Sequence, residues 1–249
     1  MKTNAKKSST PDSSSDCLRV AVLRFPGTNC EGDTFEAVGR VSGFAPEIVT
    51  HMAGSLVGFD AVIVPGGFSY GDYLRTGAIA AKTPVMKALA EFAAKGGAVL
   101  GICNGFQILA EAGLLPGILL ENIGRKFICA DTTLIIEQTK TPFTSLFSPG
   151  ARLNLPIAHQ EGRFYLDEKE LSALEENQQV VMRYQMNPNG SMHDIAAISN
   201  IAGNVVGMMP HPERRSSEDL GSTEGLTIFT SLLNSLLTPS VPDGSAKLR

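Results

Sequence analysis

Ala98-Val99-Leu100-Gly101-Ile102-Cys103-Asn104-Gly105-Phe106-Gln107-Ile108-Leu109 is the stretch on which the reading of the fold turns. Its first five residues form a short continuous apolar run, the pattern of a strand covered on both faces. Residues 103–112 then take helical spacing, and Gly113 supplies a stop. Strand, tight turn and helix follow without a spacer, and the turn reads Gly101-Ile102-Cys103-Asn104-Gly105. The form is G-x-C-x-G, the spacing of a nucleophile elbow, which holds one reactive side chain at a strained, exposed point. Glycines flank it because neighbouring chains approach closely there. The helix N-terminus behind the sulfur favours thiolate. The competing reading is a buried structural cysteine ahead of a packed helix.

Outward from this unit, strand and helix alternate. Residues 18–25 read as a buried strand, Pro26-Gly27-Thr28-Asn29 breaks it, and residues 31–41 look helical up to Gly43. Residues 47–52 and 60–65 read as strands, the latter ended by Gly66-Gly67. Residues 83–94 place Val85, Met86, Leu89 and Phe92 at three- and four-residue spacing. The alternation predicts an α/β fold, a mostly parallel central sheet with helices on both faces. In the second half, residues 127–136, 153–158, 163–166, 180–184, 194–199 and 205–209 are strand-like between turns. They are expected as antiparallel additions to the sheet. Residues 224–237 close the chain as an amphipathic helix with Leu226, Phe229, Leu232, Leu233 and Leu236 on one side. Residues 1–17 read as a disordered N-terminal tail, 18–238 as a single domain and 239–249 as a loose C-terminal tail.

The whole chain has 249 residues, 43% hydrophobic and 18% charged, with 25 glycines and 14 prolines. Collagen-like and wholly disordered readings are excluded. The net charge is −4 with no basic stripe, which argues against nucleic-acid binding. No apolar run approaches the roughly 18–20 residues of a membrane span. The N-terminus has Lys2, Lys6 and Lys7 but neither an apolar core nor the arginines of a transit peptide. Cytoplasmic residence is the expectation. Cys17, Cys30, Cys103 and Cys129 are widely spaced without a CxxC, so neither a disulfide framework nor a metal site is expected.

A thiolate nucleophile needs a base and an orienting acid. Of His51, His159, His193 and His211, the last stands in Met208-Met209-Pro210-His211-Pro212-Glu213-Arg214. In an extended segment Glu213 falls on the same side as the imidazole, where it accepts the ring N–H. Gly66-Gly67 can aim backbone N–H groups at an oxyanion. An ordinary solvated loop around His211 and an ordinary strand-ending turn at Gly66-Gly67 remain open. No phosphate-binding loop of the GxxxxGK[ST] or GxGxxG form occurs.

FPGTNCEGDT (25–34), GGFSYGDYLRTGAIA (66–80), GICNGFQIL (101–109), AHQEGRF (158–164), NPNGS (187–191) and MMPHPER (208–214) together are similar to one family. The chain resembles the class I, triad-type glutamine amidotransferases, and within them the glutaminase subunits of phosphoribosylformylglycinamidine synthase. The resemblance covers about residues 18–237 and departs from the pattern at Gln160, where the family usually has Gly. It implies a flavodoxin-like fold and hydrolysis of L-glutamine in de novo purine synthesis. Cys103 would form a γ-glutamyl thioester, with His211 as general base then acid and Glu213 orienting it. Gly67 and Asn104 would supply the oxyanion hole. Gln107, Gly66 and Phe68 would contact glutamine. Residues 68–72 and Arg75 would border either the glutamine pocket or a partner. The resemblance also implies a separate synthetase large subunit, a small accessory subunit, and ATP and Mg used by that synthetase, with no cofactor or metal bound by this chain. A glutaminase serving another synthetase, a different Cys-elbow protein of the same fold and a non-catalytic binding module are the alternatives.

Overall fold

The computed structural model describes residues 17–238. The expected tails, apart from Cys17, therefore lie outside the described residues. In chain order the elements are β1 (Leu18–Arg24), α1 (Glu31–Gly39), β2 (Phe44–Thr50), β3 (Ala61–Val64), α2 (Pro84–Ala94), β4 (Ala98–Ile102), α3 (Asn104–Glu111), β5 (Ile118–Leu120) and β6 (Ile128–Ile136). They continue as β7 (Arg152–His159), β8 (Arg163–Tyr165), α4 (Glu168–Glu176), β9 (Val180–Tyr184), β10 (Ile195–Ser199), β11 (Val205–Met208) and α5 (Leu226–Leu237).

One nine-stranded sheet runs in the order β2-β1-β3-β4-β11-β10-β9-β6-β7. From β2 to β11 neighbours are parallel, and from β11 to β7 every pairing is antiparallel. The parallel strands carry the continuous apolar runs: Val20 to Leu23, Ala61 to Val64, and Val99, Leu100 and Ile102 are all fully buried. A strand covered on both faces has no solvent side to alternate toward, so its sequence cannot alternate.

Two expectations for the second half need correction. β11 is not an antiparallel addition: it lies parallel to β4, with Gly207 opposite Gly101 and Met208 opposite Ile102. Its short apolar sequence looks the same in either orientation, so only the hairpin from β10 and its place beside β4 decide. Residues 163–165 do not join the large sheet either; β8 pairs with β5 in a separate two-stranded ribbon. α4 is not among the expected elements, although Asp167 caps it by accepting the N–H groups of Lys169 and Glu170. The Asp167…Glu170 spacing is a helix-start signal.

This topology positions the site. Val64 of β3, Gly101 of β4 and Gly207 of β11 lie in register across three adjacent parallel strands. The segments leaving their carboxyl ends, Gly66-Gly67, Cys103 and Met209 to His211, therefore emerge side by side. The carboxyl edge of a parallel sheet is where such folds place ligands.

Candidate active site

Cys103 sits between β4 and α3 with φ +50° and ψ −106°. A non-glycine residue in this region costs about 1–3 kcal/mol and persists only where its surroundings fix it. Three contacts fix it. The Cys103 N–H donates to Met208 O at 2.7 Å. A Cβ on Gly105 would meet Val64 O at 1.9 Å, and one on Gly101 would meet Leu109 Cδ1 at 2.5 Å. Only glycine at 101 and 105 lets α3 close onto the sheet, which explains the G-x-C-x-G spacing physically.

His211 follows β11. Its Nδ1–H donates to Glu213 Oε1 at 2.6 Å, and both side chains are buried. The pairing expected from sequence is present, but its backbone is different. Residues 212–215 form a 3₁₀ turn, Pro212–Arg215, not an extended segment. Pro212 pre-sets the turn, and the turn brings Glu213 back to the ring. His211 Nε2 is buried without a hydrogen-bond partner. Burial opposes a charged imidazole, but the Glu213 carboxylate and the Cys103 thiol outweigh it, so the His211 pKa lies well above the usual range. The Cys103 thiol donates to Ala158 O at 3.6 Å.

Gly66 lies behind this pair. A Cβ there would come 2.8 Å from His211 Cε1 and 3.5 Å from Cys103 Cβ. It lines neither cavity described below, so what it supplies is clearance. Gly67 lines both cavities beside Cys103. Asn104 opens α3, so its N–H belongs to the helix's unpaired amino-terminal donors. Its side chain accepts from Ser69 N–H at 3.1 Å and donates to Gln107 Oε1 at 3.0 Å.

A cavity of about 310 Å³ opens in front of Cys103, at the small end of ligand pockets, roughly 300–1,000 Å³. Phe68, Asp72, Thr76, Gln107, His159 and Glu161 line it with Cys103. Gln107 is engaged at both ends, accepting from Asn104 and donating its amide to Glu161 O. Of residues 68–72 and Arg75, left open between pocket and partner, Phe68 and Asp72 line the cavity and Arg75 does not. Arg75 forms a bidentate pair with Glu111 at 2.6 Å, and its side chain is 68% exposed.

Sequence reasoning passed over several residues here. His159 is buried, and burial, then the charge of His211, hold its pKa down at about 4. Asn122 Nδ2 donates to the carbonyls of His159 and Lys126, and Asn122 Oδ1 accepts from Gly162 N–H. That fixes Asn122 Oδ1 as acceptor for His159 Nδ1–H at 3.1 Å, leaving Nε2 with a free lone pair. Gly162 is required beneath that ring, since a Cβ would meet His159 Nδ1 at 2.3 Å. The NPNGS segment buttresses the same turn: Asn189 Nδ2 donates to Gly162 O at 2.8 Å, and Ser191 Oγ accepts from Phe164 N–H at 3.0 Å. Gln160 is exposed and donates its amide to Glu121 Oε1 at 3.2 Å, and it also lines the cavity beside His159 and Glu161.

A second cavity of about 180 Å³ reaches Cys103 and His211 past Cys30 and Arg214. Donor atoms of Cys30, His211 and Glu213 lie within 4.8 Å of one another, a metal-compatible grouping. The Arg214 guanidinium sits 3.3 Å from Cys30 Sγ and 3.9 Å from Glu213 Oε1, so a protein cation already serves the cluster. Neither residue has a role legible from spacing, because they meet across 184 positions. The other histidines stand apart: His51 packs edge-on against Tyr70, and His193 pairs with Glu175.

The arrangement can acylate a thiol. A strained cysteine lies beside an imidazole whose far nitrogen is held by a carboxylate, in a cavity sized for an amino-acid amide.

Comparison with known proteins agrees. Residues 17–223 match the family model for the CobB/CobQ-like glutamine amidotransferase domain. The chain is 54% identical over 217 residues to the phosphoribosylformylglycinamidine synthase subunit PurQ of Lacticaseibacillus paracasei, covering 87% of this chain and 95% of that one. The PurQ subunit of Thermus thermophilus is 52% identical over 223 residues, covering 87% and 98%. Among solved structures, a chain of PurLQS from Thermotoga maritima superposes with a TM-score of 0.82 at 43% identity, covering 88% and 99%. A glutamine amidotransferase from Thermotoga maritima reaches 0.54 at 18% identity over 88% and 96%, a likeness of fold alone.

Proposed function

Since the chain belongs to the CobB/CobQ-like glutamine amidotransferase family, we propose that it is the glutaminase subunit of a phosphoribosylformylglycinamidine synthase. The observation that carries this reading is the Cys103–His211–Glu213 constellation at the carboxyl edge of the parallel sheet, in a chain over half identical to PurQ subunits.

His211 takes the Cys103 proton, and the sulfur attacks the side-chain amide carbon of glutamine. The N–H groups of Gly67 and Asn104 face the oxyanion. His211 then returns the proton to the departing nitrogen, which leaves as ammonia, and a γ-glutamyl thioester remains on Cys103. Water, deprotonated by His211, hydrolyses it to glutamate. Glu213 keeps Nδ1 protonated and Nε2 toward the sulfur throughout.

The ammonia passes to a separate synthetase large subunit, assembled with a small accessory subunit, which uses ATP and Mg to convert formylglycinamide ribonucleotide to formylglycinamidine ribonucleotide. The PurLQS likeness is to a chain of an assembly so named, which supports such partners. Among the described residues no helix is long and apolar enough to cross a membrane, and the cytoplasm is the compartment we assign. The test is synthesis by the reconstituted complex. Wild-type chain should support both glutamine- and ammonia-dependent product, and Cys103→Ala only the latter. Retained glutamine use by Cys103→Ala would sink the reading.

A further inference from the structure

Glu213 is a fully buried carboxylate with an incomplete set of partners. Its Oε1 accepts the His211 Nδ1–H, and its Oε2 is buried without a hydrogen bond. A buried carboxylate needs a compensating cation, because an unpaired buried charge is strongly destabilising. His211 supplies that charge for only part of the cycle. It is an imidazolium after taking the Cys103 proton and a neutral ring after giving it to the departing nitrogen. Arg214 is positive throughout. Its Nε lies 3.9 Å from Glu213 Oε1.

The guanidinium is held from a second side. Arg214 Nη2 donates to Cys30 Sγ at 3.3 Å. Cys30 is itself fixed: it is buried, its backbone N–H donates to Gly66 O at 3.2 Å, and its thiol donates to Asn29 Oδ1 at 3.3 Å. With its one proton given to Asn29, the sulfur offers Arg214 only lone pairs. Donor atoms of Cys30, His211 and Glu213 all lie within 4.8 Å of one another, so Arg214 reaches across a cluster that contains the base and its orienting acid. Arg215, the next residue of the same turn, is the contrast. It donates to Asp131 Oδ1 at 2.5 Å and to Leu220 O at 2.6 Å, away from the cluster. Asp33 on α1 registers the same field: burial and then the charge of Glu213 raise its pKa, and Arg214 opposes them.

We propose that Arg214 is a positioning residue for the triad: seated on the Cys30 sulfur, its guanidinium keeps Glu213 ionised and on His211 Nδ1 while the imidazole passes through its neutral form. This rests on the glutaminase reading above and adds a fourth and a fifth residue to its machinery. The Arg214 side chain is 35% exposed, and an ion pair of that kind contributes little to stability. Its role is therefore read in catalysis and its pH dependence.

The experiment follows ammonia release from glutamine by the assembled complex between about pH 5.5 and about pH 9. A second readout needs no glutaminase activity: the rate at which iodoacetamide alkylates Cys103, mapped by peptide mass. Arg214→Met should lower kcat about tenfold with KM little changed, and should move the acidic limb of both profiles up by about one unit. The sign follows from charge. Losing a cation favours the protonated form of every titratable group beside it. Those groups are His211 and Glu213 in its own segment, Cys30 and Asp33 at the start of α1, and Cys103 at the end of β4. Arg214→Lys, which keeps the charge, should restore the limb. Cys30→Ala should lower kcat roughly threefold and add nothing in the Arg214→Met background, because both act through one contact. The proposal is overturned if Arg214→Met keeps the wild-type limb, or if Arg214→Lys shifts it as far as Arg214→Met does. Should Arg214→Met fail to fold, Arg214→Gln and Cys30→Ala carry the same test. A wild-type complex that releases no ammonia from glutamine overturns the glutaminase reading instead, and the alkylation series then decides the role of Arg214.

Discussion

The cavity is lined from two sources. Cys103 and Gly67 come off the ends of β4 and β3, with His211 behind them off β11. Asp72 and Thr76 come from the loop after β3, and His159 and Glu161 from the last residue of β7 and the turn that follows it. Strand-end groups inherit their positions from sheet register and are interlocked: His211 with Glu213, Cys103 with Met208, Gly66 against both. Loop groups are held by side-chain hydrogen bonds, from Asn104, Asn122, Asn189 and Thr76, and they keep unpartnered acceptors facing the cavity. Bond-making groups must be fixed to a fraction of an ångström, and register does that. Recognition groups must be left unsatisfied until a ligand arrives, and loops can do that without disturbing the core.

This contrast predicts that strand-end changes act on kcat and loop changes on KM. The largest effect is expected for Cys103→Ala, a loss of about 10⁶ in glutamine-dependent turnover with ammonia-dependent synthesis intact. Comparable losses in both assays would mean that the elbow is structural. Glu213→Gln should cost about 10⁴ in kcat with KM little changed, because the ring loses its orienting acceptor. A change confined to KM would place Glu213 with the recognition groups and break the contrast. Gly66→Ala should cost roughly 100-fold in kcat, because its methyl would sit 2.8 Å from His211 Cε1 and displace the ring. Gly124→Ala, with nothing within 4 Å, is its control and should match wild type.

The smallest effect on turnover concerns the loop side and is read in stability. His159 is neutral in the fold with a pKa of about 4, below its ordinary 6.5. Between those values the unfolded chain binds a proton that the native chain refuses. Its contribution is therefore fully present above pH 6.5 and is lost as pH falls toward 4, by up to about 3 kcal/mol. Denaturant midpoints from about pH 7.5 to about pH 4.5 should fall more steeply for wild type than for His159→Gln. Parallel curves would show that this imidazole is free to protonate in the fold.

Residues 98–109 made the strand, the elbow and the helix legible because each rests on local physics: an apolar run, flanking glycines and helical spacing. The buried parallel strands were legible for the same reason. The orientation of β11 was not, because a four-residue apolar strand is symmetric to inspection and its direction is set by the chain's path from β10. His211 and Glu213 were paired by proximity in sequence, yet the 3₁₀ turn that joins them needs Pro212 and packing to appear. The acceptors of Asp72, His159 and Glu161 lie up to 89 positions apart along the chain, and only the fold brings them into one cavity. Arg214 beside Cys30 is equally a product of tertiary packing. The sequence by itself determined most of the elements and the elbow that carries Cys103, since propensity, periodicity and steric clearance act over a few residues. Tertiary structure alone decided strand direction and the unsatisfied polar groups, because those depend on which distant segments close over one another.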